Sequence, residues 1–180
     1  EYIRMNLYKF HSKPKSMKDH DYHHDNIVEL VWDKYRDNPI ELKKREKAIA
    51  KDPTYAFTYA KGVLRGRFPL GEKAIAKDPE YAYLYARDIL HGRFPLGEKT
   101  IANDLNNAYW YAKDILCDRF PLCEEAIAKD PEFACLYANY VLCGRFPLGE
   151  VSIAKNPRYA RWYANNVIKG PWTINGKTHK

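Results

Sequence analysis

Three histidines near the start of the chain, His20, His23 and His24, form its most metal-like cluster. His20 and His24 stand four residues apart, which on a helix would put both imidazoles on one face, and Asp19, Asp21 and Asp25 would add carboxylate ligands. The surrounding stretch, Lys9 to His24, is polar throughout, so a solvated arm is the expectation and no metal is assigned. Four cysteines, Cys117, Cys123, Cys135 and Cys143, are the other candidates. Their spacing lacks the close pairs of a structural zinc site. Cys117 and Cys143 hold the same slot one repeat apart, so packed helices would separate them by about 8–10 Å, beyond the roughly 7 Å that a disulfide spans. Free thiols serving as small apolar filler are expected. With no glycine-rich phosphate loop, no nucleophile elbow and no His-Glu-x-x-His, neither catalysis nor a cofactor is expected.

The elements that must position any site follow one rule. From Glu46 to Asn175 a 26-residue unit is written five times without a gap, beginning at Glu46, Glu72, Glu98, Glu124 and Glu150. A unit this short cannot bury its own apolar face, so neighbouring copies must build a core together. In the second copy, Asp78-Pro79 is a helix start, with Asp as N-cap and proline at the first helical position. Gly92 is expected to close that helix in the left-handed conformation. Between them Ala82, Tyr85, Ala86, Ile89 and Leu90 form one apolar stripe at helical period. A shorter helix of about two turns runs from Pro95 to the next N-cap, Asp104, and depends on packing for its stability.

The expected architecture is all-α: a right-handed α-solenoid of five two-helix repeats with caps at both ends. Residues 1–45 supply an arm and a capping helix over Asp25–Arg36, residues 46–175 the repeats, and residues 176–180 a tail. Gly170 to Ile174 replaces the recurring Arg-Phe-Pro-Leu-Gly and reads as the C-terminal cap. No apolar run reaches the ~18–20 residues of a membrane span. Met5 resembles a natural start, no secretory signal is evident, and a cytoplasmic location is expected.

Comparing the copies separates fixed from varying slots. The glutamate that opens each copy, Ile49, Ile75, Ile101, Ile127 and Ile153, and Tyr59, Tyr85, Tyr111, Tyr137 and Tyr163 are invariant and read as stacking residues. Arg67, Arg93, Arg119 and Arg145 suit either a phosphate-binding row or pairing with the glutamates, and the regularly placed partners favour pairing. Lys51, Lys77, Lys129 and Lys155 end the short helices and complement the helix dipole. Variation gathers on the far side of the long helix, where large apolar groups need either a cover or a ligand. Tyr83, Leu84, Arg87, Tyr109, Trp110, Lys113, Tyr140, Arg161 and Trp162 are the candidate partner-binding residues, of types enriched at binding hot spots.

The net charge of +7 invites a nucleic-acid partner, but copies two, three and four carry 0, −1 and −2. A protein following a polyanion is expected to stay basic along its length. A non-enzymatic scaffold for a protein partner is therefore the leading expectation. DNA or RNA binding through basic and aromatic residues, and self-assembly as a structural component, are the alternatives.

The elements Gly-Arg-Phe-Pro-Leu-Gly-Glu-Lys, Ile-Ala-Lys-Asp-Pro and Tyr-Ala, with Met5-Asn-Leu-Tyr-Lys-Phe near the start, resemble tandem-repeat proteins encoded by tailed bacteriophages. The resemblance spans Met5 to about Asn175 and weakens in copy three at Asn103, Leu105 and Asn106. It carries over no activity and no functional residues. It implies a phage-encoded modulator of a host factor, acting in the host cytoplasm.

Overall fold

A computed structural model describes residues 33, 34 and 36–179. The region 1–45 therefore lies largely outside the described residues, including the His20, His23 and His24 cluster and most of the capping helix expected over Asp25–Arg36. The chain is mostly helical and forms two compact units, Glu1–Asn107 and Ala108–Lys180. The first contains α1 (Pro39–Ile49), α2 (Pro53–Thr58), α3 (Glu72–Ile75), α4 (Pro79–Tyr85) and α5 (Pro95–Ile101). The division falls within α6 (Leu105–Tyr111), and the second unit continues with α7 (Pro121–Ile127), α8 (Pro131–Tyr140), α9 (Pro147–Lys155) and α10 (Pro157–Tyr163). Among the described residues no helix is long and apolar enough to cross a membrane.

The helix starts follow the sequence closely. Asp78 is extended and accepts from the amides of Glu80 and Tyr81 at 3.0 Å each, and Asp52, Asp130 and Asn156 act alike. Each satisfies orphan N–H groups at the start of a helix. In copy three, where Leu105 stands for proline, Asp104 still accepts from the Asn107 amide at 2.8 Å. The cap, and not the proline, sets this start.

The helix ends differ from expectation. Four long helices finish in a π-helical turn, over Tyr59–Leu64, Ala86–Leu90, Ala112–Leu116 and Ala164–Ile168. The turn holds one residue more than an α-turn, which moves the exit point and rotates the following side chains. The left-handed residue is His91 (φ 49°) and not Gly92, whose amide reaches back to the Ala86 carbonyl at 3.1 Å. Arg65, Cys117, Cys143 and Lys169 occupy the same strained position. Ile89 and Leu90 are only half-buried, while Ala82 to Ala86 are buried without a break, and the same slots in copy four, Val141 and Leu142, are half-buried although no π-turn ends that helix. The apolar stripe drawn at 100° per residue fails from Ile89 onward.

Within each unit, long helices pack beside long helices and short beside short: α2 against α4 and α3 against α5 in the first, α8 against α10 and α7 against α9 in the second. The junctions are tight. A Cβ on Gly97 would lie 2.7 Å from the Phe94 ring and 2.8 Å from Ala82 Cβ, so any side chain there would force its neighbours to shift. Cys123 holds that slot in copy three, fully buried, with Sγ 3.1 Å from the Phe120 carbonyl. The all-α expectation also fails at the end of the chain. Trp172–Ile174 and Lys177–His179 pair as antiparallel strands β1 and β2, in register Trp172 with His179 and Ile174 with Lys177. Asn175 (φ 50°) and Gly176 (φ 74°) make the two-residue turn, a combination strongly favoured in hairpins. Trp172 packs edge-on against Tyr163 at 5.2 Å, as Phe146 packs on Tyr137.

Candidate functional site

The invariant polar residues form one recurring network. Arg119 donates to both carboxylate oxygens of Glu124 at 2.9 and 2.6 Å, the Tyr137 hydroxyl donates to the same carboxylate at 3.0 Å, and the Phe120 amide donates to that hydroxyl at 2.6 Å. Arg145, Glu150, Tyr163 and Phe146 repeat it, as do Arg67, Glu72, Tyr85 and Phe68. Arg93 and Glu98 form the equivalent pair at 2.9 and 3.0 Å. Pairing is thus the role of the arginine ladder. The arginines keep 57–64% of their side chains exposed while the glutamates are nearly buried. Arg119 holds the Glu124 carboxyl below its usual range against the opposing effect of burial, with the Tyr137 hydroxyl assisting. Burial pushes the Tyr85 phenol up to about 12. These groups are locked to one another and offer no free acid, base or nucleophile. Cys123, raised to about 12 by burial, is likewise a neutral thiol at physiological pH.

The nine residues singled out on the long helices divide sharply. Tyr83, Leu84, Tyr109 and Trp110 are buried, so of the two readings, a cover or a ligand, the chain itself covers these four, with a neighbouring long helix and not the short helices or turns. That face is the seam between consecutive long helices: Phe57 meets Tyr81 at 5.7 Å, Tyr109 meets Phe133 at 6.3 Å, and Cys135 Sγ reaches the Tyr159 carbonyl at 3.7 Å. A helix with a neighbour on each side has two buried stripes. A single helical wheel assumes only one.

At the margin of this seam lie cations over rings. In the first unit Lys61 lies 5.5 Å from the Phe57 ring and Arg87 5.4 Å from that of Tyr83. Both basic groups bind Asp88, Lys61 at 3.2 Å, so Asp88 stays below its ordinary pKa although burial alone would raise it. In the second unit Lys113 sits 4.5 Å from Trp110, 5.6 Å from Tyr140 and 6.0 Å from Tyr109. The structure therefore brings four of the nine together, but the chain's own lysine fills the aromatic cluster. Tyr140 is 48% exposed. Arg161 is exposed and Trp162 half-buried.

A second feature was missed. Leu70, Leu96, Leu122 and Leu148 occupy one slot, leucine in four of the five copies, at or just before the start of the short helices, and each is 54–61% exposed. In the second unit a groove of about 590 Å³ lies between α7 and α9, with Leu148, Val151 and Ala128 as apolar lining and Glu125, Lys129 and Lys155 as charged groups. Ser152 floors it, donating to the Ala128 carbonyl. The signal was available: Leu96 and Lys99 lie about 60° apart on a helical wheel, opposite the buried Ile101. Invariance had been equated with burial. Among the described residues no cluster of three or more potential ligands could hold a metal. No family model, no curated protein and no solved structure matches the chain.

Proposed function

We propose that this chain is a non-enzymatic binding scaffold in which the repeats stack as a right-handed α-solenoid, and that its ligand is a protein. The exposed leucine slot carries this reading. Four copies keep a leucine at Leu70, Leu96, Leu122 and Leu148 with more than half its surface in water, where the chain itself gains little from it. Exposed apolar groups recurring beside mixed charges suit a protein partner better than a phosphate chain. The engagement of every invariant arginine with a glutamate further reduces the number of cations free for phosphates. The resemblance to phage tandem-repeat proteins adds the proposal that the partner is a host factor whose activity the chain modulates.

The test is binding of the purified full chain to labelled single- and double-stranded DNA and RNA over a salt series, beside retention of proteins from host lysate. The expected result is a retained protein and no nucleic-acid binding at low salt. Nucleic-acid affinity falling steeply and linearly with salt on logarithmic axes would overturn the reading.

A further inference from the structure

We infer that the leucine and lysine face of the short helices docks an acidic, leucine-contacting segment of a partner protein, an inference that rests on the protein-binding reading and names the chemistry of the partner. The near-zero net charge of the middle copies conceals a segregation. In the first unit the acidic groups associated with the short helices are engaged within the chain: Glu46 accepts from Tyr59, Glu72 from Arg67 and Tyr85, and Glu98 from Arg93, while Asp52 and Asp78 cap helices. Lys73, Lys77 and Lys99 are exposed, and none has a hydrogen-bond or ion-pair partner among the described residues. The bases of this face point outward and its acids inward.

The second unit shows that these slots share a groove. Glu125 and Lys129 from one short helix and Leu148, Val151 and Lys155 from the next line the same cavity. Shifting back by two repeats turns Glu125 into Lys73, Lys129 into Lys77, Leu148 into Leu96 and Val151 into Lys99. The adjacent helices α3 and α5, with Lys77 just beyond the end of α3, therefore carry the same leucine with three lysines around it, and with Asn103 in the slot of Lys155 there is no carboxylate at the corresponding slots. A constant apolar contact with varying charged neighbours is what specificity on a repeated scaffold requires. Carboxylates complement the lysines and an aliphatic side chain complements the leucine. Phosphates would use only the lysines.

The test uses the full chain and three fluorescein-labelled probes: a Leu/Glu amphipathic peptide, its Leu/Gln counterpart and a single-stranded oligonucleotide, read by fluorescence anisotropy at low salt. The Leu/Glu peptide is expected to bind and the Leu/Gln peptide to bind at least about tenfold more weakly. Triple reversal Lys73→Glu, Lys77→Glu and Lys99→Glu should weaken the acidic peptide about tenfold or more, and Leu70→Ser with Leu96→Ser about threefold or more. Arg158→Glu, Lys169→Glu and Lys177→Glu together, equal in charge change but elsewhere on the chain, should change it less than about twofold. Equal weakening by this control, absence of peptide binding, or tighter oligonucleotide binding that ignores the leucine changes would each overturn the inference. A lysate protein held equally by the wild type and the lysine triple would sink this face while leaving the protein-binding reading intact. All substituted side chains are exposed, and circular dichroism verifies that each variant folds.

Discussion

Replacing Tyr137 by Phe removes one oxygen atom and no ring, and should nevertheless be among the more damaging conservative changes in the second unit. The hydroxyl accepts from the Phe120 amide at 2.6 Å and donates to Glu124 at 3.0 Å. Phe120 is 2% exposed, so its N–H has no access to water once the hydroxyl is gone. An orphaned buried donor costs about 1–3 kcal/mol. Glu124 retains Arg119 on both oxygens, so losing the tyrosine adds only about 1 kcal/mol, the worth of one hydrogen bond. The ring contact with Phe146 at 5.3 Å is preserved and contributes nothing to the difference. The expected destabilisation is therefore about 2–4 kcal/mol. Tyr140→Phe, at an exposed phenol three residues away, should cost less than about 0.5 kcal/mol. Urea unfolding followed by circular dichroism measures the difference, and hydrogen exchange at the Phe120 amide locates it. A Tyr137→Phe cost within about 0.5 kcal/mol of the Tyr140→Phe cost, with unchanged protection of that amide, would refute the account of why this tyrosine is invariant.

Four further outcomes are expected. Because Arg119 depresses the Glu124 pKa, the pair's stabilisation is complete above the ordinary carboxylate range and disappears as pH falls through the lowered folded value; Glu124→Gln should flatten the acid limb of a stability-against-pH curve. Tyr85 shifts the other way, raised to about 12, so its contribution is intact below about pH 10 and is lost on titration towards pH 12, an alkaline limb that Tyr85→Phe should reduce. At Cys143, held at φ 49°, glycine relieves about 1–2 kcal/mol of left-handed strain against roughly 0.5–1 kcal/mol of added chain entropy, so Cys143→Gly should raise the melting temperature slightly. Thr58 is buried with its hydroxyl unpartnered among the described residues, and Thr58→Val should stabilise by about 1 kcal/mol in urea titration.

Local chemistry was readable in the sequence and tertiary geometry was not. Asp78-Pro79 named its helix start because a cap involves only atoms within three residues. The pairing of Arg93 with Glu98 was readable from the regular spacing, each ladder arginine standing five residues before a glutamate, since a periodic cation beside a periodic anion has few other partners. The π-turns were not readable, because nothing local in Ala86-Arg-Asp-Ile-Leu distinguishes an extra residue per turn; packing selects it. The burial of Tyr83 and Trp110 escaped for the same reason, as a helix does not reveal how many neighbours it has. Asn175-Gly176 between Trp-Thr-Ile and Lys-Thr-His is different: it is a strong hairpin signal, passed over because the helical period was carried one step too far.

Repetition separates two properties that a single copy confounds. A slot can be invariant because neighbouring copies need it, as with Tyr137 and Glu124, or because every copy meets the same outside chemistry. Exposure distinguishes the cases, since a stacking residue has no reason to remain more than half in water over four copies, as Leu70, Leu96, Leu122 and Leu148 do. Net charge needs the same separation. Copy two carries no net charge, yet Glu72 and Asp78 are engaged within the chain while Lys73 and Lys77 point outward. The field a partner meets comes from the charges left unpaired at the surface, and on the short helices of the first unit those are positive.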